Sequence, residues 1–263
     1  MKRATTVAMA VAVSLVLAAG ASAGVVTIDA FTDEFPPETF ITNYSGGIIN
    51  GIDTYGGLEV GNLYFTESPD HDQVGETMPP VTLRTVESVT QTGLAGVLGG
   101  QRTGTLTKTD ATTRSSAVGI GYGEFAHSTG SQAKSNVLLE YGNVTVLNAD
   151  FSSLGASEYF LLGGWTLDQG TVTATLSLTS GATTQSKSIT LSPADYYSPV
   201  DYTIAFADFN LISFSDVDVI RLELVNNNNA QDMSLSAFEA TPEPATMALL
   251  ALGGIGMLLR RKR

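Results

Sequence analysis

The chain has 263 residues, with 13 Lys and Arg against 26 Asp and Glu, two His and no Cys. A net charge of −13 excludes nucleic acid as a partner, because a polyanionic surface repels phosphate. The absence of Cys rules out disulfides, thiol chemistry and Cys-ligated zinc, so stability has to come from core burial and, where one binds, a metal.

Lys2 and Arg3 precede an uncharged apolar run from Ala4 to Ala19, and Ala21-Ser22-Ala23 places small residues at the −3 and −1 positions before Gly24. This order reads as a signal peptide cut by signal peptidase between Ala23 and Gly24. A buried core helix would carry a polar face, and this run has none. Residues 1–23 are thus the export signal and the mature body begins at Gly24.

The body, 24–240, reads as one all-β domain. From Phe35 to Pro80 the pattern is irregular, with Pro36-Pro37, Gly46-Gly47, Gly56-Gly57 and the polar run Glu67-Ser68-Pro69-Asp70-His71-Asp72-Gln73; long loops over an opening segment are expected there. Short strands follow at Thr103 to Thr109, Ala117 to Tyr122, Asn136 to Tyr141 and Val144 to Leu147. Thr171 to Ser180 alternates Val172, Ala174, Leu176 and Leu178 with Thr and Ser, the period of a half-buried antiparallel strand. Further alternation appears at Lys187 to Leu191, Tyr202 to Phe206, Ile220 to Leu224 and, for the closing strand, Met233 to Ala237. Turn clusters such as Thr179-Ser180-Gly181, Ser192-Pro193-Ala194-Asp195 and Asn226 to Asn229 separate them. No part of the body sustains a 3.6-residue period, so the expected fold is a two-sheet antiparallel β-sandwich of jelly-roll type, flanked by an N-terminal signal helix and a C-terminal transmembrane helix.

The tail, 241–263, has three parts in order: Thr241-Pro242-Glu243-Pro244, an apolar run from Ala245 to Leu259, and the basic stop Arg260, Arg261, Lys262 and Arg263. As a helix the run reaches only about 22 Å, against a hydrocarbon core of roughly 30 Å, which suits a temporary anchor with its basic end in the cytoplasm. Of the 13 cations two lie in the signal and four in the tail, and of the 26 acids only Glu243 lies in the tail. The body therefore carries 7 cations and 25 carboxylates, a net −18.

The tail resembles a PEP-CTERM sorting signal, with Pro242, Glu243 and Pro244 as its recognition motif. The resemblance implies an exosortase, a membrane protease-transferase that cuts near the motif and sends the protein to the cell surface or extracellular matrix. Ile28-Asp29-Ala30-Phe31, Gly99-Gly100-Gln101-Arg102 and the span from Asp232 to Phe238-Glu239 resemble the opening, middle and closing segments of galactose-binding-like jelly rolls. That resemblance implies that the first and last strands pair.

Chemistry is thinly marked. Two histidines, His71 and His127, and no Gly-x-Ser-x-Gly elbow leave little room for a Ser-His-Asp triad. Asp70-His71-Asp72 is a loop triplet that solvation accounts for. Glu124, Glu140 and Glu158 lie beside apolar segments where burial raises a carboxyl, though salt bridging is the commoner outcome. Calcium is the expected ion if one binds, with hard oxygen ligands from Asp29, Asp33 and Glu34 near the start and Asp232 and Glu239 on the closing strand; no EF-hand spacing is present. Among the aromatic platforms Tyr122, Tyr141, Trp165, Tyr196 and Tyr197, Trp165 is expected in the core. Tyr196 and Tyr197, between Pro193 and Pro199, are expected to meet ligand. The functional expectation is an exported structural or exopolysaccharide-associated protein that touches the membrane only through its tail and has no catalytic residue. A secreted carbohydrate-binding or polysaccharide-acting jelly-roll protein is the alternative.

Overall fold

A computed structural model describes residues 24–34, 39–44, 47–52, 57–62, 83–112, 114, 116–154 and 158–242. The expected signal helix, the sorting tail beyond Pro242, and Asp70-His71-Asp72 lie outside the described residues. The strands are β1 (Val26–Asp29), β2 (Thr39–Tyr44), β3 (Gly47–Ile52), β4 (Gly57–Asn62), β5 (Leu83–Arg84), β6 (Val86–Thr92), β7 (Gln101–Lys108), β8 (Ser116–Gly121) and β9 (Glu124–Thr129). They continue with β10 (Ser135–Tyr141), β11 (Glu158–Leu167), β12 (Val172–Ser180), β13 (Thr183–Leu191), β14 (Val200–Ala205), β15 (Val219–Asn226), β16 (Asp232–Leu235) and β17 (Ala237–Pro242). Among the described residues the only helical turns are three short 3-10 segments.

Two antiparallel sheets face each other. The larger runs β1-β17-β11-β16-β9-β8-β4-β5, with β14 also on β11; the smaller runs β13-β12-β15-β10-β7-β6, and β2 and β3 form a separate hairpin. The alternation read from the sequence sets the smaller sheet directly. Val172, Ala174, Leu176 and Leu178 of β12 and Ile220, Leu222 and Leu224 of β15 all face inward and are essentially inaccessible. Their outward Thr and Ser partners pair across strands, as in Thr175 with Ser188 at 2.9 Å and Ser177 with Ser186 at 2.7 Å. Aromatic side chains fill the space between the sheets, Phe160 touching Phe151, Phe206, Phe209 and Phe238.

The first and last strands do pair, Val26 opposite Ala240 and Thr27 opposite Glu239. Several expectations need correction. The segment from Thr39 to Asn62 is not only loop, since it supplies β2, β3 and β4. Val144 to Leu147 forms no strand; Val144 and Val146 point to solvent, and the segment is held by backbone bonds such as Leu147 N–H to the Asp218 carbonyl. Closure of the chain takes a longer strand than Met233 to Ala237. It runs from Asp232 to Pro242, bent at Ser236, whose N–H donates to the Gly163 carbonyl. One side of this bent strand lies on β11, and its two halves meet β9 and β1 on the other.

Candidate functional site

Three sequence segments meet inside the sandwich. Ile28 and Phe31 are buried, and between them Asp29 accepts from the Phe31 N–H at 2.8 Å, which turns the chain so that Phe31 packs on Phe125. Gly99 and Gly100 both adopt left-handed φ, and a side chain on Gly99 would strike Leu147. That turn starts β7 with Arg102 pointing into the core. Its guanidinium donates to both oxygens of Asp29 at 3.1 and 2.8 Å, to the Asp33 carbonyl at 2.6 Å and to Gln91 Oε1 at 2.7 Å. The Tyr141 hydroxyl completes the carboxylate at 3.0 Å. Burial raises the Asp29 carboxyl, against the opposing pull of Arg102, Phe31 and Tyr141, and burial likewise pushes the Tyr141 phenol up. This cluster is sealed from solvent and serves to lock the fold. Tyr141 is thereby corrected from a ligand platform to a core residue.

The five acids offered as calcium ligands are spread out. Asp29 is engaged by Arg102, and Asp33 accepts from the Gly96 N–H at 3.0 Å. Glu34 is exposed, and Glu239 is half-buried on β17 beside β1. Asp232 stands at the start of the bent strand, six residues or roughly 20 Å of extended chain from Phe238, the partner of Asp29. Among the described residues no three His, Asp or Glu side chains group closely enough to hold a metal.

An open groove of about 800 Å³ lies on the outer face of the larger sheet. Its floor is made by outward positions of β8, β9, β16 and the end of β11: Ala117, Gly119, Ala126, Ser128, Ser234 and Thr166. All are small, so the sheet surface is recessed. Their inward neighbours, Val118, Phe125, Leu167, Met233 and Leu235, are core. The bridge between Leu167 and Ala194 brings the Pro193 to Tyr196 segment alongside as a wall, and Trp165 anchors it from beneath by donating its Nε1–H to the Ser192 carbonyl at 3.2 Å. Trp165 is fully buried, as expected; Tyr196 and Tyr197 are 71% and 90% exposed, and Tyr196 lines the groove.

Glu124, Asp168, Asp195 and Asp232 supply the groove's charge. Asp232 Oδ1 accepts from Ser128 at 2.7 Å, Asp168 Oδ1 from the Asp232 N–H at 3.0 Å, and Asp195 Oδ1 from the Tyr197 N–H at 2.9 Å. His127 borders the groove from the core side, its Nε2 in hydrogen-bond contact with Ser135 at 2.8 Å. Burial pushes it down to about 4 despite the Asp232 charge, so the ring is neutral at physiological pH. Of the other acids weighed from the sequence, Glu140 is bridged by Arg221 at 2.6 Å. Glu158 is buried opposite Pro242, and burial raises its carboxyl.

The groove thus joins three residues that the sequence suggested for unrelated reasons, Glu124, Tyr196 and Asp232. It adds Asp168 and Asp195, which the sequence did not single out. Of the addresses, Gly24 is exposed and Pro242 ends β17, while Ala21, Ala23, Glu243, Pro244, Arg260, Arg261, Lys262 and Arg263 lie outside the described residues.

Residues 240–263 match the PEP-CTERM protein-sorting motif, which marks an exported protein handled by an exosortase. No curated protein matches the chain. Among solved structures it is similar to an agarase, AgWH50C, at 11% identity over 53% of this chain, with a TM-score of 0.34; the match spans only 22% of the agarase. It is also similar to the family 11 carbohydrate-binding module of a cellulosomal cellulase of Clostridium thermocellum, at 9% identity, 61% and 89% coverage and a TM-score of 0.31. A third is the family 11 module from Clostridium thermocellum in complex with a β-1,3-1,4-mixed-linked tetrasaccharide, at 10% identity, 71% and 96% coverage and a TM-score of 0.31.

Proposed function

We propose that this exported protein is delivered by its tail to the cell surface or extracellular matrix, held transiently at the inner membrane on the way, and that its sandwich binds polysaccharide in the groove beside Tyr196. The observation that carries the reading is the groove itself. A floor of small side chains four strands wide is about 14 Å across at ordinary strand spacing, and Glu124 to Ser128 along β9 is about 13 Å, room for a short run of sugar rings. Its volume lies within the usual range for ligand sites. Tyr196 offers an aromatic face on a wall fixed by backbone pairing, while carboxylates and hydroxyls offer acceptors to sugar O–H groups.

Binding fits these residues better than hydrolysis. Glycoside cleavage uses a carboxyl kept protonated by its surroundings beside a second carboxylate. Among the described residues the carboxyls that burial raises, Asp29 and Glu158, both lie outside the groove. The test is affinity electrophoresis of the exported protein in gels cast with the producing cell's own exopolysaccharide. Retardation is expected, and Tyr196→Ala should weaken it about tenfold. Equal mobility with and without polysaccharide would remove the reading.

A further inference from the structure

The groove is built to discriminate by charge. Among the described residues its lining holds four carboxylates and no Lys or Arg. Each of the three aspartates accepts through Oδ1 alone, Asp168 from the Asp232 N–H, Asp195 from the Tyr197 N–H and Asp232 from the Ser128 hydroxyl. Among the described residues nothing in the protein engages their Oδ2 atoms or either oxygen of Glu124. Five of the body's seven cations are engaged elsewhere: Arg102 with Asp29, Lys108 with Asp110, Lys187 with Asp208, Arg221 with Glu140, and Lys134 with the Asn227 carbonyl. Carboxylates accept hydrogen bonds and donate none, so the occupant has to arrive with donors. A ligand with its own negative charge would meet four like charges and no lining cation among the described residues, whereas a protonated amine forms the stronger, charge-assisted bond.

Resting on the polysaccharide-binding reading, we infer that the groove selects glycans carrying free amino groups, binding unacetylated amino-sugar chains ahead of their neutral counterparts and rejecting uronate chains. Asp168, Asp195 and Asp232 gather at the end walled by Tyr196, because the Leu167 to Ala194 bridge and the pairing of β11 with β16 bring their three strand ends together. Glu124 stands four residues along β9 from Ser128, the hydroxyl that donates to Asp232. A chain lying along β9 thus meets carboxylate at both ends and a tyrosine face at one. Small floor residues keep the sheet from lifting it away from the acids.

The experiment uses the full-length chain in detergent and calorimetric titration with three hexasaccharides: glucosamine, N-acetylglucosamine and galacturonate. The glucosamine hexamer should bind about tenfold tighter than its acetylated form, with galacturonate weakest, and the advantage should shrink as salt rises from roughly 50 to 500 mM. Asp168→Asn with Asp195→Asn keeps an acceptor oxygen at each site and removes the charge. It should bring the glucosamine and N-acetylglucosamine hexamers to within about twofold of one another, whereas Tyr196→Ala should weaken both together. If the doubly substituted protein holds the glucosamine hexamer undiminished, the attraction belongs to the net −18 of the body and the inference is overturned. Equal affinity for all three chains would sink the charge selection and leave polysaccharide binding standing. Failure of all three to bind would bring down both.

Discussion

At the scale of single residues, the short degenerate motifs acquire physical reasons. Ile28-Asp29-Ala30-Phe31 is two core side chains with an acid between them, and the acid is tolerable only because Arg102, Tyr141 and the Phe31 N–H all point at it. A buried ion pair contributes little net stability over an apolar pair, but removing one partner strands the other. Arg102→Met should therefore destabilise the sandwich by about 3–5 kcal/mol, and adding Asp29→Asn should recover part of the loss. Urea unfolding checks this; a single-variant loss below about 1 kcal/mol would mean that water reaches Asp29. The pairing was not legible beforehand because Asp29 and Arg102 are 73 positions apart. Each motif looked like a separate family mark, and Asp29 looked like a metal ligand because an acid near a strand end carries no sign of the cation that will reach it.

At the scale of elements, the sequence was clearest where one face is aliphatic and the other Thr or Ser, as in β12 and β15. It was opaque at β9, Glu124–Thr129, whose inward positions are Phe125, His127 and Thr129, so that no hydrophobic alternation appears. Val144 to Leu147 alternates and yet lacks a strand partner, because alternation reports facing and a ladder still has to exist. The groove was hidden for a related reason: its floor is Ala, Gly, Ser and Thr from four strands, residues that look like filler until the register aligns them. The β8–β9 hairpin shows how local chemistry bends to the sheet. Gly121 pairs with Glu124 across Tyr122 and Gly123, both at positive φ, the two-residue turn that favours Asn-Gly. Tyr122 is 98% exposed, so it gains no packing there. Tyr122→Asn should raise stability by about 1 kcal/mol, seen as a higher denaturant midpoint with an unchanged slope. A lower midpoint would mean that the tyrosine ring has a partner on this surface.

At the scale of the whole molecule, fold and address overlap. The sorting motif spans 240–263, while β17 runs to Pro242, so Ala240, Thr241 and Pro242 belong to both. In the sheet they lie opposite Phe160, Tyr159 and Glu158 of β11, and Ala240 also faces Val26 of β1. An enzyme that reads Pro242-Glu243-Pro244 meets a motif whose first residue is still part of an interior strand. Either the end of β17 frays or the whole sandwich has to fit beside the enzyme. An insertion of about eight Gly and Ser residues between Thr241 and Pro242 keeps Pro242-Glu243-Pro244 and the tail after it unchanged and adds roughly 16 Å of reach. It costs the sheet little, because proline has no N–H to give to a ladder. In a host with an exosortase, pulse-chase labelling should show the unprocessed form disappearing faster with the spacer than without it, and Glu243→Ala should leave it unprocessed in both. An unchanged rate with the spacer would place the slow step after recognition, and the closeness of sandwich and tail would then have no bearing on sorting.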